Sequence, residues 1–165
     1  MILDLPALLV VLAPRQRLIG IDPGRKSIGL ALSDVNRTVA SPVATLKRGR
    51  LRVNAAEIVA LARREDAGGL VVGLPLSLDG AFGPAAQAAR DWTRDLSDAT
   101  GLPATLWDER LSTATIQRML IEEADLGRAR RAAIIDRMAA AYILQAALDA
   151  GQALRQNAAA RQSPD

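Results

Sequence analysis

The sequence predicts an α/β fold with a five-stranded mixed sheet flanked by helices. Aliphatic and β-branched runs with short connections come first along the chain, which is typical of antiparallel hairpins. Two further apolar runs each follow a segment with helical spacing, which is typical of strands joined by helical crossovers. The chain has 165 residues, half of them hydrophobic, which suits one domain around one core.

Five segments have the pattern of strands, the first of them ending at the turn Pro23-Gly24: residues 17–22, 28–33, 39–46, 69–73 and 104–107. Helical spacing of apolar residues marks four segments: residues 53–65, 85–98, 113–123 and 132–150. A Gly/Pro-rich loop at residues 74–84 joins the fourth strand to the second helix. The predicted sheet therefore has three antiparallel strands followed by two parallel ones.

Both ends of the chain are predicted to lie outside the domain, which covers residues 17–150. Residues 1–16 are a short apolar extension, in which Asp4 and Pro6 stand where a signal peptide has positive charge. No stretch approaches the ~18 apolar residues of a membrane span, so we expect a cytoplasmic protein with no membrane segment. Residues 151–165 are polar and rich in Ala and Gln, which predicts a flexible tail.

The composition excludes several kinds of catalysis. The chain contains no Cys and no His, so disulfides, thiolate nucleophiles, Ser-His-Asp catalysis and ordinary structural zinc sites are excluded. A catalyst must then use Asp, Glu, Arg, Lys, Ser, Thr or Tyr, and a bound metal would be a hard cation such as Mg²⁺ or Mn²⁺. The net charge of +3 permits a nucleic-acid partner without requiring one.

Acidic residues stand at three positions where they can carry chemistry. Asp22 ends the first strand, where open α/β sheets place their ligands, although an Asp before Pro-Gly is also a good turn residue. Asp108 and Glu109 close the last strand, and because successive strand residues point to opposite faces, only one of them should share a face with Asp22. Both can equally be solvated charges near a helix N-terminus.

Asp136 lies in the last predicted helix among small apolar neighbours at i±3 and i±4: Ala132, Ala133, Ala139 and Ala140. A carboxylate on such a face is costly unless something pairs with it. The alternative is a surface acid in the first turn of the helix. Taken together, the acids of two strands and one helix suit two divalent cations bridged by carboxylates, which is a chemistry of phosphodiester hydrolysis.

Four ordered blocks of the sequence resemble the YqgF family of pre-16S ribosomal RNA nucleases, also described as Holliday-junction-resolvase-like proteins of the RNase H-like fold. The blocks are Gly20-Ile21-Asp22-Pro23-Gly24 with Gly29-Leu30-Ala31 and Ser33-Asp34, then Val72-Gly73-Leu74-Pro75-Leu76 with Asp79-Gly80, then Asp108-Glu109-Arg110-Leu111-Ser112-Thr113, and finally Asp136-Arg137-Met138-Ala139-Ala140. The resemblance runs from about residue 18 to residue 149. It departs at Ser77, where many relatives carry Asn.

The resemblance implies an RNase H-like fold and one active site lined by Asp22, Asp136 and the pair Asp108-Glu109. We expect Asp22, Glu109 and Asp136 to be catalytic and to hold Mg²⁺ or Mn²⁺, with Asp108 as the alternative to Glu109. The implied function is a hydrolase with a two-metal-ion mechanism that processes the 5′ end of pre-16S rRNA. Its partners would be this RNA or the precursor of the small ribosomal subunit, and the protein would be a monomer or a homodimer.

Basic residues near these acids are candidates for contacts with substrate phosphates. Arg25 and Lys26 follow Asp22 in the turn, and Arg110 follows Glu109, although ordinary turn solvation explains Arg25 and Lys26 equally well. Two further basic groups are candidates of the same kind: Arg48, Arg50 and Arg52, and Arg128, Arg130 and Arg131.

Three other functions fit parts of the pattern. A nuclease that resolves branched DNA at four-way junctions normally needs two symmetry-related active sites. A non-catalytic RNA- or ribosome-binding factor would need none of the acids that the chain retains. A phosphotransferase of the actin or hexokinase kind also opens with an Asp-x-Gly turn, but it usually needs a second phosphate motif and a second domain, for which this chain is too short.

Overall fold

The computed structural model describes residues 1–77, 79–108 and 127–162. Within these residues the chain forms five strands and four helices, in the order α1 (Leu5–Val11), β1 (Arg17–Pro23), β2 (Ser27–Ser33), β3 (Ala40–Lys47), α2 (Leu51–Glu65), β4 (Ala67–Leu74), α3 (Pro84–Thr100), β5 (Ala104–Asp108) and α4 (Arg128–Gln162). The helix predicted at residues 113–123 lies outside the described residues.

The five strands form one mixed sheet in the order β3-β2-β1-β4-β5. Strand β1 is antiparallel to β2, which is antiparallel to β3. On its other side β1 is parallel to β4, which is parallel to β5. The prediction of an RNase H-like sheet with three antiparallel and two parallel strands is therefore confirmed, and β1, which carries Asp22, is its central strand.

Helices cover both faces of the sheet. On the face that we call the α2/α3 face, Ile19, Ile21 and Ile28 pack with Ile58 of α2 and Leu96 of α3. The opposite face, the α1/α4 face, has a second buried cluster that includes Leu18, Ala31 and Val71 from the sheet together with Leu8 and Leu144 from α1 and α4. Since residues 18, 20 and 22 alternate with residues 19 and 21 along β1, Asp22 belongs to the α1/α4 face.

The N-terminal segment packs against this sheet. Asp4 caps α1 by accepting a hydrogen bond from the backbone N–H of Ala7 at 2.8 Å, so the acid noted near the start of the sequence begins a helix. Leu5, Leu8 and Leu12 are buried against the α1/α4 face. Because Leu3 N–H also bonds to the carbonyl of Ala104 at 2.8 Å, the segment runs along the outer edge of β5.

Helix α4 is longer than the prediction. It begins at Arg128 and continues to Gln162, so the polar segment after residue 150 is helical as far as it is described, and residues 153–161 are exposed. None of the helices that the structure describes is both long enough and apolar enough to cross a membrane.

Candidate active site

Asp22 lies at the carboxyl end of the central strand, on the face that α4 covers. The backbone of α4 comes close to β1 at this face, since a Cβ atom added to Gly20 would lie 2.7 Å from the carbonyl oxygen of Ala140. The Asp22 side chain, two residues further along, is half-buried. The strand thus presents its carboxylate beside α4, where the apolar packing of the sheet ends.

Asp136 reaches the same place from α4. In the antiparallel ladder of β1 and β2, the partner of Asp22 is Gly29. Helix α4 crosses Gly29 so closely that an added Cβ would lie 1.9 Å from the carbonyl oxygen of Asp136. Directly opposed residues in an antiparallel pair have Cα atoms about 4.5–5.5 Å apart. Asp136 and Asp22 are therefore neighbours on one face of the sheet, although 114 positions separate them in sequence.

The partner of the Asp136 carboxylate is Ser27, which the sequence analysis did not single out. The Ser27 hydroxyl donates a hydrogen bond to Oδ2 of Asp136. Ser27 stands two residues before Gly29 in β2, so the period-two alternation of a strand places it on the same face, and this alternation is the signal that could have found it. The half-buried carboxylate of Asp136 is thus held by a hydrogen bond from the sheet.

Asp136 is not a surface acid of the first helical turn. Helix α4 begins at Arg128, so Asp136 lies in its third turn. A hydrogen bond from the Thr45 hydroxyl to the carbonyl oxygen of Ala133, at 2.5 Å, ties the same stretch of helix to β3. Contacts with two strands therefore fix the position of Asp136 relative to the sheet.

Asp108 belongs to the other face of the sheet. In β5, Trp107 packs with the buried cluster of the α1/α4 face, whereas Leu106 packs with that of the α2/α3 face. Asp108 is exposed and continues this alternation on the α2/α3 face, opposite to Asp22. The other predicted acid, Glu109, and the adjacent Arg110 lie outside the described residues.

The described acids suit a hard cation in chemistry but do not form a complete metal site. Among residues 1–77, 79–108 and 127–162, no group of three or more acids is close enough to hold a metal ion. Asp22 and Asp136 offer carboxylate oxygens on one face, which are ligands that Mg²⁺ and Mn²⁺ accept. Of the three predicted ligands, Asp22 and Asp136 thus lie on one face, and Glu109 is outside the described residues.

Basic side chains surround the turn that follows Asp22. Arg25 and Lys26 are both exposed in this turn. Arg48, at the end of β3, donates a hydrogen bond from Nη1 to the carbonyl oxygen of Gly24 at 2.6 Å, and its Cζ lies 4.9 Å from the centre of the Trp92 ring. Of the predicted basic groups, Arg48 thus has the best-defined place beside Asp22.

An open groove lies between this turn and the start of α3. It has a volume of about 880 Å³ and is lined by Asp22, Pro23, Gly24, Arg25, Arg48, Pro75, Pro84, Ala85, Ala88 and Ala89. The predicted Gly/Pro-rich loop therefore borders the end of β1. Within this loop, Ser77 donates a hydrogen bond to Asp79 at 2.5 Å, and Gly80 has a φ of 81°, a left-handed conformation that favours glycine.

Comparison with known proteins gives matches over most of the chain. A family model described as RuvX, Holliday junction resolvase, matches residues 16–150. A relative from Gluconacetobacter diazotrophicus, named "Putative pre-16S rRNA nuclease", is 63% identical over 135 residues, which are 82% of this chain and 88% of the relative. A relative of the same name from Gluconobacter oxydans is 58% identical over 137 residues, covering 83% of this chain and 86% of the relative.

Among solved structures, RuvC from Thermus thermophilus in complex with a Holliday junction substrate matches with a TM-score of 0.48 and 16% sequence identity. The match covers 83% of this chain and 96% of that one.

Proposed function

The chain belongs to the RuvX family, and from this membership we propose that it is a metal-dependent nuclease that processes the 5′ end of pre-16S rRNA. The names of its relatives support the nuclease activity and the RNA substrate. The observation that carries the proposal is the close approach of α4 to Gly29, which brings Asp136 beside Asp22 on one face of the sheet. The predicted cytoplasmic location remains part of the proposal.

We assign the catalytic carboxylates to Asp22, Glu109 and Asp136, which would hold Mg²⁺ or Mn²⁺. When bound, such an ion supplies an activated water and stabilises the leaving oxygen in phosphodiester hydrolysis. We prefer Glu109 to Asp108, because Asp108 ends β5 on the face of the sheet opposite to Asp22. Successive residues of a strand alternate between the two faces, so the residue after Asp108 is the better candidate.

The chain's own groups would position these carboxylates. The Ser27 hydroxyl donates to Asp136 and so limits the rotation of this carboxylate. Glycine at position 29 leaves room for the backbone of α4 above β2. Arg25, Lys26 and Arg110 would contact phosphates of the RNA on either side of the cut, since guanidinium and ammonium groups form charge-assisted hydrogen bonds with phosphate.

A cleavage assay on precursor 16S RNA tests the proposal. We expect cutting in the presence of Mn²⁺ and none in EDTA. Asp22→Asn and Asp136→Asn should each abolish cutting, whereas Asp95→Asn, which changes an exposed acid on α3, should cut like the wild type. Cutting that survives both active-site substitutions would refute the carboxylate mechanism.

A matched pair of variants tests which acid of β5 acts. Glu109→Gln should abolish cutting, and Asp108→Asn should leave most of it. The opposite result would assign the ligand to Asp108 and would contradict the argument from strand alternation.

Branched DNA is the second candidate substrate, because the family description is that of a Holliday junction resolvase. Four-way junction DNA should therefore be tested beside the RNA, together with the mass of the protein in solution. A dimer that cuts the junction and leaves the RNA intact would identify a resolvase. Specific RNA binding without cutting of either substrate would identify a binding factor.

A further inference from the structure

The groove beside Asp22 has one charged end and an apolar wall. Arg48 and Arg25 line it near the β1–β2 turn, and Pro84 and Ala88 line it along the N-terminal half of α3. At about 880 Å³ the groove falls in the size range of small-ligand sites. Because Asp22 also lines it, the groove reaches the end of β1 that carries the candidate active site, from the side of the sheet that α3 covers.

The guanidinium of Arg48 is held in place before any ligand binds. Its Nη1 donates to the carbonyl oxygen of Gly24, and its Cζ lies over the half-buried ring of Trp92, 4.9 Å from the ring centre. The backbone N–H of Arg48 also bonds to the carbonyl of Lys26 at 2.9 Å, which fixes the base of the side chain. These contacts reduce the conformational entropy that Arg48 would lose on binding an anion.

Arg48 has donors left for a ligand. A guanidinium carries five N–H donors, and the hydrogen bond from Arg48 to the Gly24 carbonyl uses only one nitrogen, Nη1. Within the part of the chain that the structure describes, no carboxylate lies within ion-pair distance of Arg48. The group therefore combines a fixed position, a full positive charge and donors suited to a phosphate.

The apolar wall of the groove suits a flat apolar group. Pro75 and Pro84 contribute pyrrolidine rings, and Ala85, Ala88 and Ala89 contribute only methyl groups. The side chains of this wall offer van der Waals contact to the face of a nucleobase and carry no hydrogen-bonding group that would select one base. A nucleotide with its phosphate at Arg48 and its base against this wall matches both the charged and the apolar part of the groove.

We propose that this groove binds one unpaired nucleotide of the substrate strand next to the cut site, with its phosphate at Arg48 and its base against the wall of Pro75, Pro84 and Ala88. The inference rests on the proposed nuclease function and specifies the substrate as single-stranded at this position. A base that is paired and stacked in a duplex cannot reach the wall without leaving the stack.

Binding to fluorescein-labelled RNA in EDTA tests the inference without cleavage. The full-length wild type, Arg48→Gln and Ala88→Met are compared on a short single-stranded RNA and on the same sequence as a duplex, by fluorescence anisotropy at several salt concentrations. Arg90→Gln and Ala99→Met, which change exposed residues elsewhere on α3, are the matched controls. Circular dichroism melts show that each variant is folded.

We expect Arg48→Gln to weaken single-strand binding about 10-fold and to lower the slope of log affinity against log salt by about one. Ala88→Met fills the groove, so it should weaken the same binding several-fold without changing the salt slope. The controls and duplex binding should change little. Arg48→Lys, which keeps the charge, should retain most of the salt slope while losing part of the affinity.

Wild-type affinity and salt slope in Arg48→Gln would overturn the phosphate assignment, and unchanged affinity in Ala88→Met would overturn the base assignment. Equal losses on duplex and single strand would overturn the requirement for an unpaired nucleotide. Parallel cleavage assays separate this inference from the proposed function. If the wild type cuts RNA but these variants bind normally, only the groove assignment fails. If binding depends on Arg48 but the wild type cuts nothing, the nuclease proposal fails and the groove remains.

Discussion

Gly29→Ala tests whether the contact between α4 and β2 sets the position of Asp136. The added Cβ would lie 1.9 Å from the carbonyl oxygen of Asp136 and 2.9 Å from the amide nitrogen of Arg137, whereas ordinary contacts begin at 3.4 Å. Both atoms belong to the helix backbone, so no side-chain rotation relieves the clash. The helix or the strand must move by about 1.5 Å, in a core that is close-packed.

The expected loss of stability follows from this displacement. Overpacking of a close-packed site costs about 1–3 kcal/mol. In a protein of this size, each 1 kcal/mol lowers Tm by about 2–4 °C, so Gly29→Ala should melt about 2–12 °C below the wild type. The matched control is Gly49→Ala, since an added Cβ at Gly49 has no neighbour within 4 Å.

The effect on cutting should be larger than the effect on folding. Moving the helix shifts Asp136 relative to Asp22 and Ser27, and a misplacement of about 1 Å can cost about 100-fold in rate. Melts by circular dichroism and initial rates of RNA cleavage with Mn²⁺, measured below the melting range of the variant, give the two quantities. A Gly29→Ala protein that melts and cuts like the wild type would refute the reasoning. A variant that loses only stability would show that this contact does not position Asp136.

Three further predictions concern a positioning residue, a turn and the N-terminal helix. Ser27→Ala should lower the cleavage rate about 10–100-fold with little change in Tm, because it frees the Asp136 carboxylate, while Ser41→Ala on the exposed side of β3 should change neither. Burial opposes the ionisation of Asp34, but hydrogen bonds from the Val39 and Thr38 N–H groups, the Thr38 hydroxyl and the Asn36 N–H outweigh it and lower the pKa from 3.8 to about 2. Ionised Asp34 therefore stabilises the fold above about pH 4, by about 1 kcal/mol after screening by water. This contribution is lost as the pH falls from about 4 to 2. In urea denaturation, Asp34→Asn should be less stable than the wild type at neutral pH and should approach the stability of the wild type near pH 2. Leu8→Ala removes a fully buried side chain and should cost about 2–5 kcal/mol in urea denaturation, whereas Val10→Ala, at a residue 83% exposed, should cost less than about 0.5 kcal/mol.

Each of these predictions has an outcome that contradicts it. Wild-type rates in Ser27→Ala would remove Ser27 from the positioning of Asp136. A stability difference between Asp34→Asn and the wild type that stays constant from neutral pH to pH 2 would show that the charge of Asp34 does not matter. Equal stabilities of Leu8→Ala and Val10→Ala would show that α1 is not part of the core.

Most of the sheet could be predicted from the sequence because its signals are local. The turn Pro23-Gly24, the short connections between strands and the helical spacing before β4 and β5 each depend on residues close together in the chain. Contacts between segments that are distant in the chain give no such local signal, so the sequence did not predict them. The packing of α1 against the α1/α4 face depends on contacts with several other elements, including Val71 of β4 and Leu144 of α4, and the apolar run alone did not show which surface it covers.

The candidate site likewise contains residues that the sequence predicts and residues whose roles depend on contacts between distant segments. Asp22 could be predicted from its place at a strand end and Asp136 from its apolar neighbours on a helix. Ser27 could not be linked to Asp136, since 109 positions separate them and only the crossing of α4 over β2 joins them. Arg48 likewise was one of several arginines in the sequence, and its place is set by Gly24 and Trp92 from two other elements.

The order of the elements and the kinds of catalysis open to this protein follow from its amino-acid sequence. The absence of Cys and His, the positions of the acids and the four ordered motifs are properties of the covalent chain. Which groups meet depends on how the elements pack against one another. Strand alternation places Asp22 and Asp108 on opposite faces of the sheet. Because Gly29 has no Cβ, α4 packs closely enough on β2 to bring Asp136 to the face of Asp22. The physical reason is that spacing along a strand or helix is fixed by backbone geometry, whereas the distance between two elements is set by how closely their surfaces pack.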